Sequence, residues 1–306
     1  MKKKVAIVLC STSDQIFAAG NVLIGLKKHF SLPETEYDII IYADKQLNKK
    51  DENALKSIYK NIIITIYNNL FSKELLSSDV VKTWTKMAYA RYECLSLLDE
   101  YKQVIYLDTD ILILKDIIYL TTLTQKDIYA YIYDNETILD VIKTNRFIKN
   151  FNETKYYLNR HNCASGELIF NDKIQNRDKI KEWMYNKTVE LQSSDQIIFN
   201  LMLQEFNIDY GGFEKEYCKL YSGVEETPDD CILHSAGGCK FWNCCFHDEW
   251  NKNNKVWAEF GGTEYNLEKY IKTKKMINKI AWFIPTQKLR NKIRESLYKL
   301  FNIRLY

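Results

Sequence analysis

An apolar segment that ends in two aspartates constrains the fold of this chain more than any other feature. Residues 104–107 read Val-Ile-Tyr-Leu, and Asp108 and Asp110 follow with one residue between them. A continuous apolar run of this kind predicts a buried strand that is covered on both faces. In an extended chain residues i and i+2 lie on one side, so we expect both carboxylates to enter the crevice at the strand's carboxyl end.

Two carboxylates in one crevice predict a bound cation. Held together without one, they would repel, and each would raise the pKa of the other. A divalent cation removes that repulsion, and carboxylate oxygens suit Mg²⁺ or Mn²⁺ with substrate phosphates completing the shell. The pattern therefore favours a metal-bound diphosphate, although two aspartates also fit a plain surface turn.

Strand-like and helix-like segments alternate before and after these aspartates. Strands are predicted from apolar runs at 5–10, 38–42, 62–67, 104–107, 128–133, 168–171 and 231–234. Helices are predicted at 18–26, 86–101, 178–192 and 196–206. This β-α-β order predicts an α/β fold with a Rossmann-like nucleotide-binding half and a mostly parallel central sheet. The sequence has neither G-x-G-x-x-G nor a P-loop pattern, which disfavours dinucleotides and P-loop chemistry.

Composition and termini narrow the function classes. The chain has 306 residues, 46% hydrophobic and 27% charged, with a net charge of +3. That charge is too small to indicate a nucleic-acid partner. The apolar run that begins at Val5 is short for a signal peptide and is followed at once by polar residues, so we expect a first strand there. No apolar run reaches transmembrane length, and we expect a cytoplasmic protein.

Several further motifs occur in a characteristic order. They are the strand and polar turn at 9–15, basic residues within 85–91, the aspartate motif within 103–112, and the segments 130–134, 164–171, 194–200 and 234–242. The last of these reads H-x-x-G-x-x-K-x-W from His234 to Trp242. Over roughly residues 4–245 the chain resembles glycosyltransferase family 8, which includes glycogenin and bacterial lipopolysaccharide glycosyltransferases. The resemblance implies a GT-A fold, a divalent cation and a UDP-sugar donor.

The resemblance also implies which residues bind the donor and the metal. The metal ligands would be Asp108, Asp110 and His234, and an imidazole beside two carboxylates favours Mn²⁺ over Mg²⁺. Gln15 stands where the family commonly has an aromatic that stacks on uracil, and Phe17 lies close by. The implied donor contacts are Cys10, Ser11, Thr12, Gln15, Lys86, Arg91, Asp108, Thr109, Asp134, Asn162, Ser165, Gly237 and Lys240.

Three residues would act in catalysis. Lys240 would reach the departing β-phosphate, and Asp195 would lie beneath the anomeric carbon. Gln196 would orient the sugar or act as a weak nucleophile. Asp195 begins a predicted helix, so an N-cap role fits it as well as catalysis.

The predicted activity is transfer of a hexose, glucose or galactose, from a UDP-sugar with retention of configuration. The acceptor would be a glycan, a lipid-linked saccharide or a protein. The alternatives are a non-catalytic UDP- or glycan-binding module and a sugar-phosphate nucleotidyltransferase, whose usual Gly-rich N-terminal loop is absent here.

The C-terminal segment differs in composition from the rest. Residues 269–304 contain eleven Lys and Arg against one acid, Glu295. A helix that begins after Pro285 would carry its apolar residues on one face, through Phe301, and its basic residues on the other. We predict a catalytic domain at 1–262 and a basic amphipathic extension at 263–306, which either lies on a membrane surface or packs against the domain.

Overall fold

A computed structural model describes residues 3–300 except 69–70, 72–75, 77–78, 146, 149–150, 152–153, 215–216, 224–229, 244 and 266. Its strands are β1 (Lys3–Ser11), β2 (Tyr37–Ala43), β3 (Ile63–Ile66), β4 (Tyr101–Leu107), β5 (Ile111–Ile113), β6 (Ile128–Thr137), β7 (His161–Asn171), β8 (Tyr210–Gly212), β9 (Lys219–Leu220) and β10 (Ile232–His234).

The α-helices are α1 (Ile16–His29), α2 (Lys49–Ile58), α3 (Asp79–Trp84), α4 (Cys94–Leu97), α5 (Ile138–Thr144), α6 (Arg177–Leu191), α7 (Asp195–Glu205), α8 (Asp248–Glu259), α9 (Leu267–Trp282) and α10 (Gln287–Leu300). Three 3₁₀ helices cover Ser13–Gln15, Lys86–Glu93 and Ile118–Thr122.

A seven-stranded sheet with the order β3-β2-β1-β4-β7-β6-β8 forms the centre of the described chain. The first four strands in that order pair in parallel, and β7 pairs antiparallel with both β4 and β6. Side chains of β1 alternate between two cores, with Ile7 and Leu9 on one side and Ala6 and Val8 on the other. The predicted α/β fold with a mostly parallel, doubly covered sheet is therefore confirmed.

One predicted helix was wrong in type and extent. Residues 86–101 are not a continuous α-helix, because a 3₁₀ helix covers Lys86–Glu93, α4 lasts one turn, and Tyr101 already belongs to β4. Tyr101 pairs with Lys3 across the parallel ladder, and its hydroxyl donates to Asp38 Oδ2 at 2.6 Å. Strand pairing therefore outweighs the helical pattern at that end.

A second, three-stranded sheet in the order β5-β10-β9 lies next to the aspartate motif. β5 and β10 are antiparallel, and their register places His234 opposite Ile111. The backbone N–H of Ser235 then donates to the carbonyl of Asp110 at 3.0 Å. This sheet therefore joins the segment after β4 to the segment that begins at His234.

An aromatic cluster attaches the chain after His234 to α1. Phe17 on α1 contacts Trp242 edge-to-face at 5.5 Å and stacks on Tyr265 at 4.8 Å, between ring centroids. Trp257 on α8 packs against Gly20, where an added Cβ would lie 2.4 Å from the indole Cε3. A glycine is needed there because the indole occupies the space of a side chain.

The C-terminal helices α9 and α10 pack against each other. Ile277, Ala281 and Tyr298 are buried. Trp282, the last residue of α9, and Phe283, which follows it, are 68% and 70% exposed. The predicted helix after Pro285 is thus present, and Phe301 of its apolar face lies outside the described residues. Among the described helices, none combines the length and the apolar character that crossing a bilayer requires.

We predict that Gly20→Ala destabilises the protein, because a methyl group would overlap the Trp257 ring. Overpacking of this kind costs about 1–3 kcal/mol and exceeds the gain in helix propensity. The measurement is the free energy of unfolding in urea.

Gly25→Ala is the matched control in the same helix. Its added Cβ would lie 3.2 Å from Ile113 Cβ, so a small shift accommodates it. We expect its free energy of unfolding to stay within about 1 kcal/mol of the parent. Equal stability of both variants would contradict the packing argument.

Candidate active site

Asp108, Asp110 and His234 form a cluster at the carboxyl end of β4. One ligand atom of each lies within 4.8 Å of the others, as expected of a group that could hold one cation. His234 Nε2 is 3.3 Å from Asp110 Oδ1 and 4.0 Å from Asp108 Oδ2. The structure therefore brings together the three residues that the sequence proposed as metal ligands.

The backbone between the two aspartates differs from the extended conformation predicted from the sequence. β4 ends at Leu107, and Thr109 and Asp110 form a turn before β5, so the motif is not extended as expected. The turn is fixed at both ends, because Asp108 N–H donates to the Gly166 carbonyl at 2.7 Å and Ser235 N–H donates to the Asp110 carbonyl. Hydrogen bonds to β7 and to the residue after β10, rather than the i, i+2 alternation of one strand, position the two aspartates.

Arg91 connects this cluster to a second carboxylate. Its guanidinium is buried and lies 3.0 Å from Asp108 Oδ1 through Nη2 and 3.0 Å from Asp195 Oδ2 through Nη1. Nε donates to the Ala88 carbonyl at 2.7 Å, and Nη1 also contacts the Ser165 carbonyl. We expected Arg91 at the diphosphate, and the structure places it between two carboxylates.

Burial and neighbouring charges shift the pKa values of the two aspartates in opposite directions. Burial raises the pKa of Asp108 to about 6, since the opposing effect of Arg91 is smaller. Burial also disfavours the charged form of Asp110, but Lys240 and His234 together hold the pKa of that carboxyl well below its usual range. Burial disfavours the cationic form of His234 too, yet Glu167 and Asp110 together raise the pKa of its imidazole.

Lys240 reaches the cluster from the segment after β10. Its ammonium contacts Asp110 Oδ2 and donates to the Ser235 carbonyl at 3.1 Å. Gly237, with φ of 77°, begins the return of the chain that makes this possible. A non-glycine residue would be strained at that angle. The predicted catalytic lysine therefore lies beside the candidate metal ligands.

Asp195 is the first residue of α7, and Ser194 occupies the N-cap, so the capping alternative was wrong. The Asp195 carboxylate instead accepts a hydrogen bond from Ser165 Oγ at 2.7 Å and pairs with Arg91. Gln196 is half-buried on the following position, and its carbonyl accepts from Asn200 Nδ2 at 2.8 Å. Two predicted residues of this region, Ser165 and Asp195, are thus in direct contact.

Asp44 accepts hydrogen bonds both from the polar turn after β1 and from the basic residue Lys86. Ser13 N–H donates to Asp44 Oδ1 at 2.7 Å, and Lys86 Nζ donates to the Asp44 carbonyl at 3.0 Å. Thr85, before Lys86, has φ of 64°, a rare conformation for a β-branched residue. Such strain is frequent at ligand sites.

The remaining predicted residues of this end are placed as follows. Cys10, Ser11 and Thr12 are buried at the end of β1, and Gln15 is half-buried in the turn. Phe17, named as a nearby aromatic for uracil, is buried against Trp242 and Tyr265 instead.

The predicted sugar-binding residues lie on β6 and β7. Asn162 is buried and uses its amide internally, donating to Glu136 Oε2 at 2.6 Å and accepting from Asn200 Nδ2 at 3.0 Å. Asp134 is exposed on β6.

Sequence reasoning missed Glu167, Asp44 and Tyr106. Glu167 lies 2.9 Å from His234, and the Tyr106 hydroxyl donates to Asp108 Oδ1. Glu167 had a detectable signal, because it is an acidic residue directly before the apolar strand residues Leu168, Ile169 and Phe170. Asp44 and Tyr106 had none beyond their positions at strand ends.

Comparison with known proteins identifies the family. A family model described as "Glycosyl transferase family 8" matches residues 6–288, which is most of the chain. The chain belongs to glycosyl transferase family 8. It is therefore a glycosyltransferase, and the predicted resemblance is confirmed. No curated protein sequence gives a significant match.

Solved structures show the same fold at low identity. The apo structure of the bifunctional glycosyltransferase WbbM gives a TM-score of 0.62 at 13% identity, covering 84% of this chain and 50% of that one. An active-site mutant of LgtC gives 0.58 at 15%, covering 83% and 95%. Apo GlyE of Streptococcus pneumoniae TIGR4 gives 0.54 at 17%, covering 88% and 64%. The chain thus spans half the length of WbbM, and these likenesses confirm the GT-A fold.

Proposed function

We propose that this glycosyltransferase moves a hexose, glucose or galactose, from a UDP-sugar to a glycan, lipid-linked saccharide or protein, with retention and with Mn²⁺ bound. One observation supports the proposal more than any other. The Arg91 guanidinium contacts both Asp108 of the candidate metal cluster and Asp195 on α7. A diphosphate-binding cation site and a carboxylate for the sugar are thereby held at one place.

The residues of the cluster fit a divalent cation. Two carboxylates and one imidazole nitrogen are hard and borderline ligands, a set that suits Mn²⁺ better than Mg²⁺, which prefers oxygen alone. Gly166 leaves room beside them, because a Cβ there would lie 3.1 Å from Asp108 Oδ2 and 2.3 Å from His234 Cε1. When bound, the cation would neutralise the negative charge that develops on the leaving diphosphate.

Lys240 would supply the second positive charge for the leaving group. Its ammonium already neutralises Asp110, and a flexible lysine can exchange one anionic partner for another. As the bond between the sugar and the β-phosphate breaks, an ammonium near that phosphate lowers the barrier by electrostatic stabilisation.

Asp195 would stabilise the positive charge that grows at the anomeric carbon. Arg91 and the Ser165 hydroxyl hold its carboxylate in one orientation, at a site nearly closed to water. Such preorganised charge is most effective in a site of low polarity. Gln196, the next residue, would orient the sugar.

The donor's uridine would occupy the polar turn after β1. Ser11, Thr12 and Gln15 line this end of the sheet, and Asp44 ties the turn to Lys86. Parallel sheets bind nucleotides at the carboxyl ends of their strands, which is where this turn and the metal cluster both lie.

The metal requirement is the first test of this function. EDTA should abolish release of UDP from UDP-glucose or UDP-galactose, and Mn²⁺ should restore it better than Ca²⁺. Asp108→Ala or Asp110→Ala should lower kcat by at least about 10²-fold, the scale for loss of one strong electrostatic stabiliser.

Asp209→Ala is the matched control for these variants. Asp209 is exposed and pairs with Lys126. It precedes β8, which runs parallel to β4, and so lies at the other end of the strands from the carboxyl end of β4. It should keep the parental kcat. Full turnover in EDTA would exclude the metal-dependent mechanism.

Asp195→Asn tests the separation of binding from chemistry. Asn keeps the size of the side chain and one acceptor oxygen but removes the charge. UDP and Mn²⁺ should bind the variant as before, while kcat should fall by about 10²-fold or more, a loss confined to the transition state. Calorimetric titration with UDP and single-turnover transfer rates give the two readings. Transfer at the parental rate would make Asp195 a structural residue.

We further propose that α9 and α10 hold the enzyme on anionic membranes. The segment exposes Trp282 and Phe283 beside a surplus of basic residues. Each lysine or arginine near an anionic surface contributes about 1 kcal/mol, and exposed aromatics suit the interface. Attachment should therefore be reversible and weakened by salt.

Vesicle sedimentation tests this attachment. The full chain should sediment with phosphatidylserine vesicles at low salt, and a chain ending at residue 266 should not. This end point keeps Thr263, whose N–H donates to Asp51 Oδ1 at 2.6 Å, and Tyr265, which stacks on Phe17. The shortened chain should stay folded and hydrolyse the donor.

A full-length Trp282→Ser/Phe283→Ser variant is the matched control for the truncation. Both side chains are exposed, so folding should be unaffected while vesicle binding weakens. Equal sedimentation of the full and shortened chains would contradict the membrane proposal.

A further inference from the structure

Glu167 is a buried acid that the proposed catalytic cycle leaves without a role. It lies on β7, in the central sheet, and is 2% exposed. Burial of an ionised carboxylate is unfavourable unless a partner compensates it. Within the described chain, neither carboxylate oxygen has a regular hydrogen bond, and the nearby polar atom of opposite character is His234 Nδ1, 2.9 Å from Oε1.

His234 Nδ1, the atom that faces Glu167, is in the same situation as the Glu167 oxygens. It too is buried and has no regular hydrogen bond within the described residues. The second ring nitrogen, Nε2, faces Asp110 and Asp108. One imidazole therefore presents one nitrogen to the candidate metal ligands and the other to Glu167.

Backbone packing restricts rotation of this ring. A Cβ at Gly166 would lie 2.3 Å from His234 Cε1 and 2.9 Å from Nδ1, so the ring lies directly against the β7 backbone. The register of β4 with β7 pairs Leu107 with Glu167, and Asp108 N–H donates to the Gly166 carbonyl. The same pair of strands thus positions the aspartate and the acid on either side of the imidazole.

We propose that Glu167 is a positioning residue for the metal ligand His234. Its carboxylate accepts a hydrogen bond from Nδ1–H, which leaves the lone pair of Nε2 directed at the cation. This inference rests on the proposed metal site and adds to it a carboxylate that orients one ligand. Partners of this kind typically change metal affinity by 10–100-fold, and they decide which ring nitrogen binds the metal.

The surroundings of Glu167 argue against a purely structural role. The carboxylate faces the interior beside the buried Cys218, whose thiol pKa is raised by burial and then by the Glu167 charge. An apolar residue on this strand would avoid the burial of charge, and such replacements are often neutral or stabilising. The Cys218 thiol is a weak hydrogen-bond donor, so the imidazole is the stronger polar partner of this carboxylate.

The test compares Glu167→Val with Glu167→Gln in the full chain. Mn²⁺ affinity is measured without donor, from free Mn²⁺ by electron paramagnetic resonance. Glu167→Val removes the acceptor and should weaken Mn²⁺ binding by 10–100-fold. Glu167→Gln keeps an acceptor oxygen at the same place and should lose less than 10-fold. Thermal unfolding in EDTA reports separately on folding.

A spectroscopic measurement on the unaltered chain tests the proposal without changing Glu167. With Zn²⁺ as a diamagnetic probe, proton–nitrogen correlation spectra of the imidazoles should show Nδ1 of His234 protonated and Nε2 without a proton. The chain has only 4 His, which makes assignment direct, by comparison with the spectrum of a His234→Gln variant. A metal-loaded His234 with a bare Nδ1 would overturn the proposal.

The outcomes separate this inference from the metal site itself. If Asp110→Ala binds Mn²⁺ as tightly as the parent, the proposed metal site is wrong. If Asp110→Ala loses Mn²⁺ while folded Glu167→Val keeps the parental affinity, the metal site stands and the role of Glu167 is overturned. Loss of Mn²⁺ affinity in Glu167→Val with recovery in Glu167→Gln supports the proposal when both variants unfold at the same temperature in EDTA, because a packing role would lower that temperature in Glu167→Val.

Discussion

The buried guanidinium of Arg91 is the interaction on which the rest of the site depends. Without it, Asp108 and Asp195 would be two carboxylates in a poorly solvated interior without their arginine partner, and burial of such charges is unfavourable. Arginine suits this position because its planar fork donates to several acceptors at once, whereas lysine is a point charge. Its contacts join a 3₁₀ helix, the turn after β4 and the start of α7. The metal cluster and the proposed catalytic carboxylate therefore form one unit.

The sequence was sufficient for strands that read as continuous apolar runs. Side chains of β1 enter two apolar cores, and β4 is likewise apolar at successive positions, so both strands formed where predicted. The three candidate metal ligands were also predicted to lie together, the two aspartates from the apolar strand that precedes them and His234 from the order of the motifs. The 3₁₀ helix at Lys86–Glu93 and the turn at Asp110 were not, because strand pairing elsewhere decides them. The role proposed for Glu167 could not be predicted from the sequence, because it depends on a contact with His234, which is 67 positions away in the chain.

Packing far from the cluster determines where His234 and Lys240 lie. β10 is short, so its position depends on pairing with β5 and on the aromatic cluster of Phe17, Trp242 and Tyr265 that follows. Trp257 completes this packing against Gly20, and its indole N–H donates to the Thr263 carbonyl at 3.0 Å. The segment just after residue 262 therefore supports the fold around the candidate site, and α9 continues from it through a contact of Tyr265 with Tyr270, 6.1 Å between ring centroids.

The charge balance of the candidate site favours a divalent cation there. The carboxylates of Asp108, Asp110, Glu167 and Asp195 face two permanent cations, Arg91 and Lys240. With His234 neutral, two negative charges are left uncompensated, which is the charge that one divalent cation neutralises. Glu167 raises the pKa of the imidazole in this metal-free site, and under our proposal its acceptance from Nδ1–H would direct Nε2 to the cation. If a cation compensated Asp110, Lys240 could pair instead with the anionic diphosphate, so that binding of metal would favour binding of donor.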